Sequence, residues 1–225
     1  MVGLDPLVGT RAALTLRRRQ FSAGHASCWR CSPLGGSRSS RDHELWTIGH
    51  WTCPEPDFLR PLRAQRIGLL VDVRALPGSR RSPQFDRDEL PRWLADAGID
   101  YLHLPELGGR RRRQQQVDPA RNAGWHHASF RNYADYTLSA AYAAGIDRLT
   151  DLAAERRTAI MCGEPLPWRC HRLLIANTLV ARGWTVWHLI DDDPPRRHEL
   201  GRWGATPSVS GDAPVTYPAD DPPGP

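Results

Sequence analysis

Lysine is absent from this chain of 225 residues: all 30 basic positions are arginine, against 25 acidic ones, for a formal net charge of +5. A GC-rich coding sequence is the plain explanation. The chemical consequence is that every cationic side chain other than histidine is a planar, permanently charged fork suited to phosphate and carboxylate. The surplus of positive charge permits an anionic partner without demanding one. Long apolar runs are missing too. No stretch approaches the roughly 20 residues that a bilayer-spanning helix needs, and the start Met1-Val-Gly-Leu-Asp-Pro6 lacks the basic and apolar regions of a secretion signal. Five cysteines cannot all pair within one chain, and free thiols in a reducing cytoplasm are the expectation. No Gly-x-Gly-x-x-Gly follows the first strand and no Gly-x-x-x-x-Gly-Lys-Ser/Thr occurs anywhere, so neither a dinucleotide fingerprint nor a P-loop is supported.

What is present divides the chain in three. Residues 1–44 are rich in Gly, Ser and Arg without sustained periodicity and are expected to be disordered. They contain His25, Cys28, Cys31 and His43, a Cys-x-x-Cys with flanking histidines. A strong zinc signature has a second tight pair, and the two histidines do not form one. From Glu44 the pattern becomes regular. Strands are predicted over 45–49, 68–74, 100–104, 159–162 and 185–190. Helices are predicted over 56–66, 87–98, 130–156 (with a break near Gly145) and 173–183. Strands alternating with helices imply a three-layer α/β domain over 45–190, with a mostly parallel, Rossmann-like sheet of about five strands. The stretch Gly68-Leu-Leu-Val-Asp-Val-Arg74 is apolar without alternation, as in a strand covered on both faces. Residues 191–225, rich in Pro and Asp, are expected to be a second disordered tail.

The densest chemistry lies in Met161-Cys-Gly-Glu-Pro-Leu-Pro-Trp-Arg-Cys-His-Arg172, between a predicted strand and the next helix. In an open α/β sheet that junction lies at the carboxyl edge, where ligands bind. The other strand ends bring His50, Asp72 with Arg74, and Gly108 with Gly109 to the same edge. Asp72 and Arg74 could equally pair with each other, and both thiols could be buried as small apolar residues. The four arginines that follow Gly109 make a basic loop able to close over phosphate, although a charge run is often only a solvated surface.

These segments together resemble one family. Thr47-Ile-Gly-His50, Leu70-Val-Asp-Val-Arg74, Pro77 with Ser79, Gln84-Phe85, Tyr101-Leu-His-Leu-Pro-Glu-Leu-Gly-Gly109, Phe130-Arg-x-Tyr-Ala-Asp-Tyr136 and Met161-Cys-x-Glu…Trp-Arg-Cys-His-Arg172 occur in the order and spacing of the family catalogued as domain of unknown function 488. The resemblance spans residues 45–190. It implies a single α/β domain and supplies no established reaction. One departure is Trp51, where the family more often carries a small hydroxyl residue.

Three chemistries fit the residues. In the first, Cys162, Glu164, His171 and His50 are catalytic. Cys170 lies near a helix N-terminus, whose dipole favours a thiolate, and Glu164 acts as general base. Rhodaneses and cysteine phosphatases share a strand–Cys-loop–helix arrangement. Here, however, Arg169 follows Cys162 after six intervening residues instead of five, and Pro165 and Pro167 remove backbone donors that such a loop needs. In the second, Asp72, Arg74, Gly108, Gly109, Cys170 and Arg172 form a binding site for a phosphate-bearing ligand or nucleic acid. Arg80, Arg81 and the 110–113 run would assist, and Trp51, Phe85, Tyr133 or Trp168 would stack on a base. In the third, Cys162, Cys170, His171 and Glu164 ligate a metal, but no compact Cys pair anchors it, and no metal is assigned. The expectation is an enzyme acting on a phosphate-bearing ligand, nucleic acid included. The alternative is a binding module without turnover.

Overall fold

The structure is a computed structural model and describes residues 43–78 and 81–219. Five parallel strands form most of the sheet: β1 (Glu44–Gly49), β2 (Leu69–Asp72), β3 (Asp100–His103), β4 (Thr158–Cys162) and β5 (Thr185–Leu189). A sixth, β6 (Arg196–Arg197), pairs antiparallel with β5, and the spatial order is β3-β2-β4-β1-β5-β6. The helices are α1 (Glu55–Ala64), α2 (Leu90–Asp96), α3 (Ala128–Tyr136), α4 (Ala140–Glu155) and α5 (Arg172–Ala181). No helix among the described residues is long and apolar enough to cross a membrane.

Each central strand is apolar on both sides because both sides are covered. Side chains alternate across a strand, so Leu45, Leu69, Val71 and Ile160 enter one core while Trp46, Ile48, Leu70 and Met161 enter the other. Helices α1 and α2 fill the second core with Phe58, Leu59, Leu62, Leu90 and Leu94. Helices α3, α4 and α5 supply the first with Tyr133, Ile146, Leu149, Leu174 and Ile175.

The chain leaves β1 and β2 over one face and β3 and β4 over the other, travelling in opposite directions along the sheet, which keeps the crossovers of one hand. Strand β4 therefore has on each side a neighbour whose following helix lies on the opposite face. A crevice opens at its carboxyl end, as at the switch points of other open α/β sheets.

Two expectations need correction. Residues 191–219 are packed onto the domain and are not a disordered tail. Helix α5 is apolar almost all round, with Leu173, Leu174, Ile175, Ala176 and Leu179 all buried, so its outer side needs cover. Val215 and the fully buried Tyr217 provide it, and Tyr217 Oη accepts a 2.8 Å hydrogen bond from Asn177 Nδ2. The second correction concerns the expected break near Gly145. Helix α4 runs through that residue, where a Cβ would stand 3.0 Å from Leu107 Cδ2. The break falls instead at Ser139, whose Oγ caps α4 by accepting from Tyr142 N at 3.2 Å.

The C-terminal segment is also tied down by a buried polar chain running in one direction. Asn177 Oδ1 can only accept, so His198 donates to it from Nε2 at 2.8 Å and accepts on Nδ1 from His188 Nε2 at 3.0 Å. His188 Nδ1 then accepts from Thr47 Oγ1 at 2.8 Å. Burial lowers the pKa of His188 to about 3, helped by the neighbouring His198, and that of His198 to about 4. Both rings are neutral near pH 7.

Candidate functional site

Register brings the chemistry together. Gly49 lies beside Cys162 across the β1–β4 ladder, and Asp72 lies beside Met161 across β2–β4. The residues that follow these strands therefore meet at one edge. A Cβ on Gly49 would stand 2.0 Å from Glu164 O, so only glycine lets the β1 end run flush against the loop after β4.

Asp72 and Arg74 form a buried ion pair. Arg74 Nε lies 2.9 and 3.0 Å from the two Asp72 oxygens, and Nη2 lies 2.6 Å from Oδ2. Tyr101 Oη donates to the same Oδ2 at 2.8 Å, and Arg74 N donates to Oδ1 at 2.9 Å. Asp72 is fully buried and does not line the cavity described below; it orients Arg74, which does. His50 completes the block. It donates from Nδ1 to Trp51 O at 2.7 Å, accepts from Arg74 Nη1 at Nε2 (3.3 Å) and stacks on Phe85 at 4.3 Å between centroids. Burial and the Arg74 charge lower its pKa to about 4, so the ring is neutral with both nitrogens engaged.

Next to this block lies the thiol cluster. Cys162 ends β4, and Cys170 with His171 opens α5. His171 donates from Nε2 to Val73 O at 2.8 Å, which turns Nδ1 towards the sulfurs of Cys170 at 3.4 Å and Cys162 at 4.0 Å. Hydrogen bonding to Cys170, together with burial, holds the Cys162 thiol well above its ordinary range. Burial also pushes Cys170 up, but the Cys162 hydrogen bond, His171 and Arg172 outweigh it and hold Cys170 well below. The thiolate character therefore lies on Cys170, the residue at the helix end.

Arg172 is fully buried and does not line the cavity described below, which corrects its expected role as a ligand contact. Its Nη2 donates to the backbone oxygens of Glu164 and Pro165, and Nε donates to Cys170 Sγ at 3.5 Å. It clamps the loop after β4 from behind. No carboxylate among the described residues pairs with it, so Cys170 is the nearest source of countercharge for a cation that cannot lose its proton.

Above these groups is a cavity of about 480 Å³, within the range of small-molecule sites. Its charged lining is Arg74, Arg81, Arg110 and Arg169 against Glu164 alone. Glu164 Oε1 accepts from Leu166 N at 3.4 Å. Cys162, Cys170, His171, His50 and Gly109 also reach the wall. Gly109 is required by close approach: its Cβ would stand 2.8 Å from His171 Nδ1. Gly108 does not line the cavity and serves packing, since its Cβ would meet Ala75 Cα at 2.9 Å. At the mouth, Trp51 is 58% exposed with φ +43°, a conformation that costs energy for a bulky residue. Its backbone is held there by Gly163 O and Ser82 Oγ.

Of the arginine run, only Arg110 faces the cavity. Arg111 bonds Gly108 O and Pro105 O and lies over the Tyr136 ring at 3.8 Å, so it serves the fold. Of the proposed stacking aromatics, Phe85 and Tyr133 are buried in the core and Trp168 stacks on Trp203 at 5.1 Å. Trp51 alone stands exposed. His25, Cys28, Cys31 and Arg80 lie outside the described residues, and His43 packs edge-on against Trp184. No motif or periodicity points to Leu76 or Ser129 in the wall. Phe130 was visible only as part of a family motif.

No curated protein and no solved structure matches the chain significantly. The family model described as Domain of unknown function DUF488 matches residues 56–179, from α1 to the last turn of α5. That span covers more than half of the chain and takes in β2, β4 and the whole loop from Cys162 to Arg172, and on it the chain belongs to the DUF488 family.

Proposed function

We propose that this protein is an enzyme acting on a phosphate-bearing ligand held in the cavity at the carboxyl edge of the sheet. The observation that carries the reading is the makeup of that cavity: four guanidiniums, one of them paired with the buried Asp72, and one carboxylate, above two thiols and an imidazole whose reactive atoms converge. Guanidiniums recognise phosphate oxygens through paired hydrogen bonds. A module that only binds would have no use for the convergent group beneath them. Glu164 is the carboxylate placed to move a proton to or from the ligand, and Arg74, fixed by Asp72 and His50, is the preorganised anion contact. A Rossmann-like reading of the sheet, without its dinucleotide fingerprint, fits the same placement.

The second reading is a nucleotide or nucleic-acid binding module, and the exposed Trp51 ring at the mouth favours it. Base stacking on such a ring is worth about 1–3 kcal/mol. A thermal-shift screen against nucleotides, sugar phosphates and short oligonucleotides tests both, because binding to the native state raises apparent stability. The enzyme reading expects a phosphate-bearing hit that is turned over, with turnover lost in Glu164→Gln while the shift remains. A hit that is bound and never converted supports the module. The absence of any shift by phosphate-bearing compounds, or a shift unchanged in Arg110→Gln and Arg169→Gln, removes the ligand class altogether.

A further inference from the structure

The cavity floor holds donors that recognition of phosphate does not need. Cys170 Sγ and Cys162 Sγ lie 3.4 and 4.0 Å from His171 Nδ1, and the three atoms lie within 4.8 Å of one another. Around a tetrahedral ion bound at about 2.3 Å by sulfur and about 2.05 Å by nitrogen, a sulfur and a nitrogen stand about 3.6 Å apart. The two observed spacings straddle that value. We propose that Cys162, Cys170 and His171 together hold a zinc ion whose fourth position opens to the cavity.

The surroundings of His171 and Cys170 are those of metal ligands. His171 gives its Nε2 proton to Val73 O at 2.8 Å, which fixes the ring and leaves Nδ1 as the coordinating atom. Cys170 Sγ accepts from Arg172 Nε at 3.5 Å. Hydrogen bonds of this kind satisfy the remaining lone pairs of a bound thiolate. The approach to Nδ1 is clear only because residue 109 is glycine, whose Cβ would stand 2.8 Å from that atom.

Two thiolates with an imidazole select a borderline-soft tetrahedral ion over magnesium or calcium, which take oxygen ligands. Three protein ligands leave one position for water or substrate, the arrangement of catalytic sites; structural ones are closed by four. Charge points the same way. Two thiolates cancel the ion, Arg172 remains as a buried positive charge, and an anionic fourth ligand such as hydroxide or a phosphate oxygen neutralises the set. The metal site stands on donor geometry and does not depend on the phosphate reading, which could fail on its own.

The test uses the full chain with Cys28→Ser and Cys31→Ser, so that the N-terminal cysteines cannot contribute. Metal-free protein is titrated with Co²⁺ and then with Zn²⁺. The expected result is one equivalent of Co²⁺ with a sulfur-to-cobalt charge-transfer band and the strong visible bands of tetrahedral cobalt. Zinc should bleach both, and Cys170→Ser and His171→Gln should each lower affinity at least tenfold. Because those variants could misfold, alkylation is mapped in parallel on protein with all three ligands intact. Zinc should slow labelling of Cys162 and Cys170 at least tenfold and leave Cys53, outside the cluster, unchanged. Failure to bind Co²⁺, a weak octahedral spectrum, or equal labelling with and without zinc overturns the proposal. Phosphate binding in the thermal-shift screen is scored separately and can survive that outcome.

Discussion

Lowering the pH from about 7.5 to about 5 should strip the domain of much of its stability well before carboxylates begin to titrate. His50, His188 and His198 are buried and neutral, with pKa values lowered to about 4, 3 and 4. An unfolded histidine titrates near 6.5. As the pH falls through that value, protons bind the unfolded chain and not the folded one. The contribution of these residues is therefore fully present above about 6.5 and is lost on the way down towards 4. Integrated to pH 5, each histidine costs about 2 kcal/mol, or about 6 kcal/mol for the three. That compares with a typical total stability of about 5–15 kcal/mol. The chain Thr47–His188–His198–Asn177 sharpens the effect, because a proton on His198 Nδ1 or His188 Nδ1 turns an acceptor into a donor facing a donor. Urea unfolding followed by tryptophan fluorescence at several pH values measures it directly. The slope near pH 5 should correspond to nearly three protons, and His198→Gln should remove about one of them. A stability that changes by less than about 1 kcal/mol over the range would show that these rings are not buried as neutral bases.

Three further outcomes follow from the packing. Asp72→Ala leaves the Arg74 guanidinium buried without its partner and should cost about 3–5 kcal/mol in chemical denaturation, whereas Tyr101→Phe, which removes one hydrogen bond to the same carboxylate, should cost about 1 kcal/mol. Gly109→Ala forces a methyl against His171 and should cost about 1–3 kcal/mol, with loss of any activity or cobalt band that depends on that ring, read by denaturation and spectroscopy together. Truncation after residue 190 removes Val215 and Tyr217 from the core, and Tyr217→Ala alone should cost about 3–5 kcal/mol; limited proteolysis should accordingly not cut near residue 190.

The layer architecture was readable because its signals are local. Continuous apolar runs such as Leu69–Asp72 and Thr158–Cys162 announce strands covered on both faces, and parallel strands bring their following residues to one edge. The candidate site was readable for the same reason. What escaped was non-local. The order β3-β2-β4-β1 depends on which strands find each other, and Thr47 with His188 are partners 141 positions apart. Tyr217 carries no periodicity, being one aromatic in a polar segment, yet it caps the far side of α5. Arg172 reads as a ligand contact because a guanidinium in a reactive motif suggests one. Its position at the start of α5 turns it inward against the Glu164 carbonyl.

The flush contact between Gly49 and Glu164 O has a mechanical consequence. The loop after β4 is wedged against one neighbouring strand, clamped from behind by Arg172 and continuous with a strand flanked on both sides, so it has little compliance of its own. The floor of the cavity is stiff, while the Trp51 ring and the Arg110 and Arg169 side chains at its walls can change rotamer. A ligand therefore meets a reacting centre set in advance and adjusts only its approach. Substitutions at the rim should retune which molecules enter without disturbing the groups they meet, and the rim is where members of a lineage could diverge in ligand choice at the least mechanical cost.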